Sequence, residues 1–221
     1  MGFFKVNVDE ESVKDFVAGD TKYIRNSGMH ELIIKKLIVD ESEGGSQFVN
    51  LLVTYNGQDQ PIFQAFTLTN KNGSTNLGAR VLNKLMVIAN IEETSDLVEE
   101  EVPIGKANAN KICNVIPDFE DLPVVMNINM EYSMYNGKIQ KKKIIRNVFR
   151  VPDYATAAEI LNEKEVGEQY KKELETCTIP TLKNVTMEDV ELYEKNVGKT
   201  PKEEETKKSP TSFGKKKAFG K

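Results

Sequence analysis

The chain contains a single histidine, two cysteines and no long apolar run, and each shortage closes off a class of chemistry. His30 is the only imidazole, so a nucleophile–base pair would have to be built on it alone, and no carboxylate accompanies it at metal-ligand spacing. Cys113 and Cys177 lie far apart without C-x-x-C spacing, which argues against both a zinc site and a disulfide framework. No apolar stretch approaches the roughly 20 residues of a membrane span. The opening Met1-Gly2-Phe3-Phe4-Lys5 also lacks the apolar core of a signal peptide, so the pattern predicts a cytoplasmic protein with no membrane partner.

Phosphate cradles are missing too. Gly198-Lys199-Thr200 has the ending of a phosphate-binding loop, but Tyr193 stands where the first glycine belongs and no strand precedes it. Gly105-Lys106 fails because Ala107 replaces the hydroxyl residue that would hold magnesium. The acids Asp118, Glu120 and Asp121 are the remaining candidates for a metal-dependent nuclease, although clustered acids on an irregular loop are more often solvated than catalytic. The expectation is a non-enzymatic protein with no cofactor and no metal.

What the chain does have is segregated charge. Its formal charge is −4 over 221 residues, yet Lys138, Lys141, Lys142, Lys143, Arg146 and Arg150 follow one another without an acid among them. Distribution, not the total, decides what such a surface attracts. The segment begins with Val124, Met126, Ile128, Met130, Tyr132 and Met134 alternating with Asn127, Asn129, Glu131 and Ser133, the pattern of a half-buried strand. Asn136-Gly137 supplies the positive-φ pair of a two-residue hairpin turn. The predicted register sets Tyr135 against Lys138, Tyr132 against Lys141, Met130 against Lys143, Ile128 against Ile145 and Val124 against Phe149. A positive field beside tyrosines fits phosphates and stacked bases. The competing use of such lysines is to keep a sheet edge from pairing with other chains.

Elsewhere, Met29–Val39, Phe48–Tyr55 and Ile62–Thr69 read as strands of a meander, with Asn56-Gly57 as one turn. Ile62, Phe66 and Leu68 share a face, with Phe63 on the opposite one. Leu77, Val81, Leu85 and Ile88 recur at helical spacing through Ile91, capped by Ser74 or Thr75. Glu92–Glu101 is an acidic stretch, and the segment Gly105–Asp121 reads as irregular. The predicted fold is mainly β with added helices (α+β). Five strands with a helix between the third and fourth is the order of an OB-fold barrel.

On this reading residues 1–151 form an OB-fold nucleic-acid-binding domain, with 1–26 as an N-terminal arm laid on it. Residues 152–199 are a helical extension, with a capping box at Thr156/Glu159 opening a helix over 156–176 whose weak point is Gly167, and a second box at Thr186/Asp189 opening a shorter helix that ends near Gly198. Residues 200–221 are a disordered Lys-rich tail, too poor in apolar side chains to offset its ordering entropy. The candidate nucleic-acid-binding residues are Tyr55, Phe63, Tyr132, Tyr135, Lys138, Lys141, Lys142, Lys143, Arg146 and Arg150. Phe213, Lys215, Lys216, Lys217 and Phe219 in the tail would contact DNA or a partner protein.

Four segments carry a resemblance to a known family: Phe3-Phe4-Lys5-Val6-Asn7-Val8-Asp9, Ser27-Gly28-Met29, Thr69 to Asn76 before Val81-Leu82-Asn83-Lys84-Leu85, and Glu131 to Gly137 leading into Lys141-Lys142-Lys143. On these the chain, up to about Val151, resembles the single-stranded DNA-binding proteins of tailed bacteriophages. The resemblance implies coating and protection of single-stranded DNA during phage replication, recombination and repair. Single-stranded DNA is then the partner, with a polymerase or helicase recruited through the tail, and a homo-oligomer as a further expectation. Many such proteins end in an acidic tail tipped by an aromatic residue, whereas here the last nine residues are basic. The rival reading is an assembly module whose basic hairpin docks on an acidic partner.

Overall fold

Two asparagine–glycine turns set the hairpins on which the fold depends. Asn56 and Gly57 have φ of 47° and 71°, and Asn136 and Gly137 have φ of 48° and 71°, the left-handed pair whose twist matches that of the flanking strands. The computed structural model describes residues 22–105 and 109–196. The N-terminal arm before Lys22, the Gly198-Lys199-Thr200 segment and the tail residues Phe213, Lys215, Lys216, Lys217 and Phe219 lie outside the described residues.

The chain divides into two units at Val185/Thr186. In the first, β1 (Gly28–Glu41), β2 (Gln47–Tyr55) and β3 (Gln58–Thr67) form an antiparallel meander, and α1 (Ala79–Ala89) follows. Next come β4 (Val98–Val102), β5 (Lys111–Ile116), β6 (Leu122–Tyr135) and β7 (Lys138–Arg150), then α2 (Ala157–Leu161), α3 (Glu168–Leu174) and β8 (Thr181–Lys183). The second unit contributes α4 (Met187–Asn196), opened by reciprocal hydrogen bonds between Thr186 and Asp189. Among the described residues no helix is long and apolar enough to cross a membrane.

The long strand β1 organises the sheet. One edge pairs with β2; the other pairs with β6 over Gly28–Ile34 and with β5 over Leu37–Val39. Pairing therefore runs β3-β2-β1-β6-β7, with β4–β5 as a side hairpin and β8 parallel to β6. Ile34, Leu37, Leu51, Ile62, Met126 and Ile128 are fully buried in the interior this sheet wraps, and Leu85 of α1 is buried with them.

The structure is α+β with an antiparallel sheet, and it corrects the closed five-stranded barrel. Among the described residues the sheet has eight strands. β3 and β7 come within 8 Å of each other, yet no ladder joins them. Each is bulged along this seam: Asn50 stands alone opposite Phe63, Gln64 and Ala65, and Arg146 is an extra residue opposite the Asn127–Ile128 step. A bulge disrupts the regular alternation of donors and acceptors that edge pairing needs. The Arg146 bulge also moves the predicted Val124–Phe149 pair to Val124–Arg150, while the other four predicted pairs of the hairpin stand.

Further corrections have local causes. Three strands were not expected: β4 and β8 are short and rich in charged or polar residues, so alternation does not mark them, and β5 lies within Gly105–Asp121, the segment read as irregular. α1 is capped not by Ser74 or Thr75 but at Gly78, whose N–H donates to the Asn76 side chain at 2.9 Å. The long helix of 156–176 is two: α2 ends at Leu161, and α3 starts after Gly167, the expected weak point, whose φ is 80°. The capping box of Thr156 and Glu159 is present. Of the N-terminal arm, the described part is fastened to β3: Gln60 accepts from the Ile24 N–H at 3.0 Å and its amide donates to the Lys22 carbonyl at 3.3 Å.

Candidate nucleic-acid interface

The open seam is a cleft of about 1030 Å³ walled by β3, α1 and β7. Among the described residues six basic side chains line it, namely Arg80, Lys84, Lys141, Lys142, Lys143 and Arg146, and no carboxylate does. Phe63, 57% exposed, stands on the β3 wall. The β3 bulge presents it there: Gln64 has φ of 47°, and its N–H is held by the buried Asn50 side chain at 2.8 Å.

On β7 the register divides the lysines between two faces. Lys141 and Lys143 lie opposite the buried Tyr132 and Met130, so they prolong the core face outward to the seam. Lys142 lies opposite Glu131 and is exposed. Lys141 Nζ donates to the Arg25 carbonyl at 2.8 Å and sits 5.5 Å from the centre of the Tyr132 ring. Burial lowers the pKa of Lys143, and the charge of Lys141 lowers it further. Burial likewise lowers that of Lys84, against the attraction of Glu173. A cation taken out of water without full compensation is stabilised by an arriving anion.

The cleft thus gathers Phe63, Lys141, Lys142, Lys143 and Arg146 of the residues read from sequence. It does not gather the others. Tyr132 is only 5% exposed, so its ring packs in the core rather than offering a stacking face. Tyr55 is half-buried, edge-on to the His30 ring at 5.3 Å between centroids. Tyr135, 62% exposed, and Lys138 flank the hairpin turn, beyond the cleft walls. Arg150, at the far end of β7, is engaged by Asp153 through Nε at 3.1 Å and a terminal nitrogen at 2.6 Å. Sequence reading missed Arg80 and Lys84; their spacing of four on α1, which puts both on one face, was the available signal.

The other face of the hairpin is covered, which corrects the half-buried reading of β6. Asn127, Asn129 and Asn147 are buried polar residues bonded to the segment that carries α3 and β8. Glu173 accepts from Asn127 and Asn147, each at 2.7 Å, and from Gln169 at 2.9 Å. Asn147 in turn accepts from Lys84 at 2.8 Å, which ties this network to the cleft wall. Asn129 donates to the Ile179 carbonyl at 2.6 Å and accepts from the Thr181 hydroxyl at 2.7 Å. Arg146 donates to that same hydroxyl at 2.7 Å.

The candidate metal acids are separately engaged. Asp118 accepts from the backbone and hydroxyl of Ser95, Glu120 pairs with Lys36 and Asp121 with Lys35. Among the described residues no three His, Cys, Asp or Glu side chains are grouped to hold a metal. Burial lowers the pKa of His30, the Asn26 carbonyl opposes that shift and the charge of Lys143 adds to it. No protein-family model matches the chain, and the search of curated proteins finds no match.

Proposed function

We propose that this protein binds single-stranded DNA without catalysis and with little sequence preference, along the cleft between β3 and β7. The observation that carries the reading is the lining of that cleft, which among the described residues holds six cations, no carboxylate and an exposed phenylalanine. Lysine and arginine neutralise successive phosphates while an aromatic ring takes a base, a combination indifferent to sequence. The strand order supports it. Followed around, β1-β2-β3-β7-β6 is the order of an OB-type sheet, here left open between β3 and β7 and with the β4–β5 hairpin inserted. The resemblance to phage single-stranded DNA-binding proteins points the same way, towards coating exposed DNA in replication, recombination and repair.

The test is fluorescence-anisotropy titration of a labelled mixed-sequence strand at several salt concentrations. Binding should weaken steeply with salt, and the charge reversals Lys142→Glu and Arg80→Glu should each reduce both the affinity and the salt slope. Unchanged binding in both variants would remove the cleft from the site.

A further inference from the structure

Three smaller concavities share lining residues with the cleft, and they differ in the charge they add to it. Among the described residues, the one past Lys84 sets Glu159, Glu165 and Glu168 against Lys164 and Lys172, and the one past Arg146 adds Glu173 with no second cation. An excess of carboxylate repels a phosphate chain. The third, of about 340 Å³, shares Phe63 and Gln64 with the cleft, so the two spaces meet at the β3 bulge. Its described walls add one charge of each sign, Lys111 and Asp40, and a second ring, the half-buried Phe48. This exit is the one without a surplus of negative charge, and it opens beside the exposed ring of Phe63.

Lys111 opens β5 opposite the buried Val102, on the face of the β4–β5 hairpin that packs through Cys113 and Val115 against Ile38 and Leu52. The exposed Glu99 and Glu101 lie opposite Asn114 and Ile112, so the alternation of the strands puts them on the other face. Glu100 shares the face of Lys111 but is held by Lys36. The Lys111 side chain is 56% exposed, and its Nζ meets an Asp40 oxygen at 3.4 Å. A long, exposed ion pair contributes little, and an ammonium has three N–H groups to share. Lys111 can therefore take up a phosphate at small cost. We propose that the bound strand leaves the cleft across Phe63 and continues over the β4–β5 hairpin, one base resting in this concavity and an adjoining phosphate held by Lys111. The inference rests on the strand-binding reading of the cleft and gives that strand its path beyond it. The volume is at the lower end of small-ligand sites, about 300–1,000 Å³, which suits one base.

The experiment titrates the full chain with labelled mixed-sequence single strands of about 4 to 16 nucleotides, the range one OB-type sheet covers. Lys111→Gln removes the cation, Asp40→Asn removes its competitor while keeping the acceptor for the Glu41 N–H, and Glu99→Gln makes the same charge change on the other face of the hairpin. For the longest strand Lys111→Gln should lower the affinity roughly fourfold near physiological salt and reduce the salt slope by about 0.7, the effect of one phosphate. The shortest strand, held by the cleft alone, should bind this variant as it binds the wild type. Asp40→Asn should tighten binding of the longest strand, and Glu99→Gln should not. The path over the hairpin is overturned if Lys111→Gln changes binding at no length or equally at all lengths, or if Asp40→Asn and Glu99→Gln behave alike; each of these leaves the cleft reading standing. Failure of the wild type to bind any of the strands would remove both.

Discussion

The Asn50 side-chain carbonyl accepts a hydrogen bond from the Gln64 backbone N–H at 2.8 Å, and this bond holds β3 in its bulge. Asn50 is 4% exposed, so the bond is made in the interior, and Gln64 carries the positive φ that the bulge demands. Removing the acceptor leaves a backbone donor unsatisfied at a strained residue. Asn50→Ala should destabilise the fold by about 1–3 kcal/mol and weaken strand binding as well, because the bulge no longer presents Phe63. Phe63→Ala, by contrast, should weaken binding by about 1–3 kcal/mol with an unchanged urea midpoint. Urea melts and anisotropy titrations on the two variants separate the roles; a loss of stability in Phe63→Ala would contradict them.

The two hairpin tyrosines should behave oppositely. Tyr132 is buried beneath Lys141, whereas Tyr135 stands at the turn and is 62% exposed. Tyr132→Ala should cost about 3–5 kcal/mol of stability, as large-to-small changes in a core do, and Tyr135→Ala should leave the urea midpoint within about 0.5 kcal/mol. If Tyr132→Ala melted like the wild type, the ring would not be part of the core.

These tyrosines mark what was legible in the sequence. The turns Asn56-Gly57 and Asn136-Gly137, the meander, the helix before the fourth expected strand and most of the hairpin register followed from local chemistry, because turn residues and alternation act over a few positions. Which face of β6 met solvent did not. Asn127 and Asn129 read as surface residues, and only the return of Glu173 and Ile179, some 50 positions later, buries them. Lys141 and Lys143 were identified, but alternation alone did not reveal that they continue the core face into a cleft. That follows from the bulges at Gln64 and Arg146, which keep β3 and β7 from pairing. Arg80 and Lys84 joined the site through tertiary packing of α1.

Glu173 links the covered face to the cleft, since Asn127, Asn147 and Gln169 all donate to it and Asn147 accepts from Lys84. Glu173→Ala should destabilise the protein by about 2–4 kcal/mol, because it strands two buried asparagine amides and withdraws the negative charge that offsets the desolvation of Lys84. Glu173→Gln keeps the shape and one acceptor, so a smaller loss is expected. A double-mutant cycle with Lys84→Met measures the coupling across the network; additive effects would show that the link from α3 to α1 carries no energy.

Capping at α2 predicts how the protein responds to acid. Burial raises the pKa of Glu159, but hydrogen bonds from Thr156, Gln169 and Gly167 outweigh it and hold the carboxyl below the ordinary glutamate range. The folded state therefore binds this proton less readily than the unfolded chain. The stabilisation is complete above the unfolded glutamate pKa and is lost as pH falls through the folded value. Glu159→Gln should remove that part of the acid dependence and cost about 1 kcal/mol at neutral pH, the usual effect of losing a cap. Urea midpoints from neutral to mildly acidic pH decide it: parallel curves for the two proteins would mean Glu159 titrates alike in both states.

At alkaline pH the decisive group is Lys143, and its two expected effects have opposite sign. Burial first, and Lys141 second, lower its pKa in the folded protein. Between that lowered value and the ordinary lysine range the unfolded chain binds more protons than the folded one, so this group makes the free protein more stable as pH rises. Strand binding runs the other way, since a phosphate requires the charged ammonium and the affinity contributed by Lys143 falls as pH rises through the lowered value. Lys141 reinforces the shift through its charge, and Lys84 adds a similar titration of its own through burial. The informative quantity is therefore the difference between wild type and Lys143→Arg, whose guanidinium stays charged throughout. The variant should hold its affinity at high pH where the wild type loses it, and should lack the corresponding gain in urea midpoint. Identical pH profiles of affinity would mean that no phosphate is neutralised at Lys143, and the deep end of the cleft would then fall outside the path of the strand.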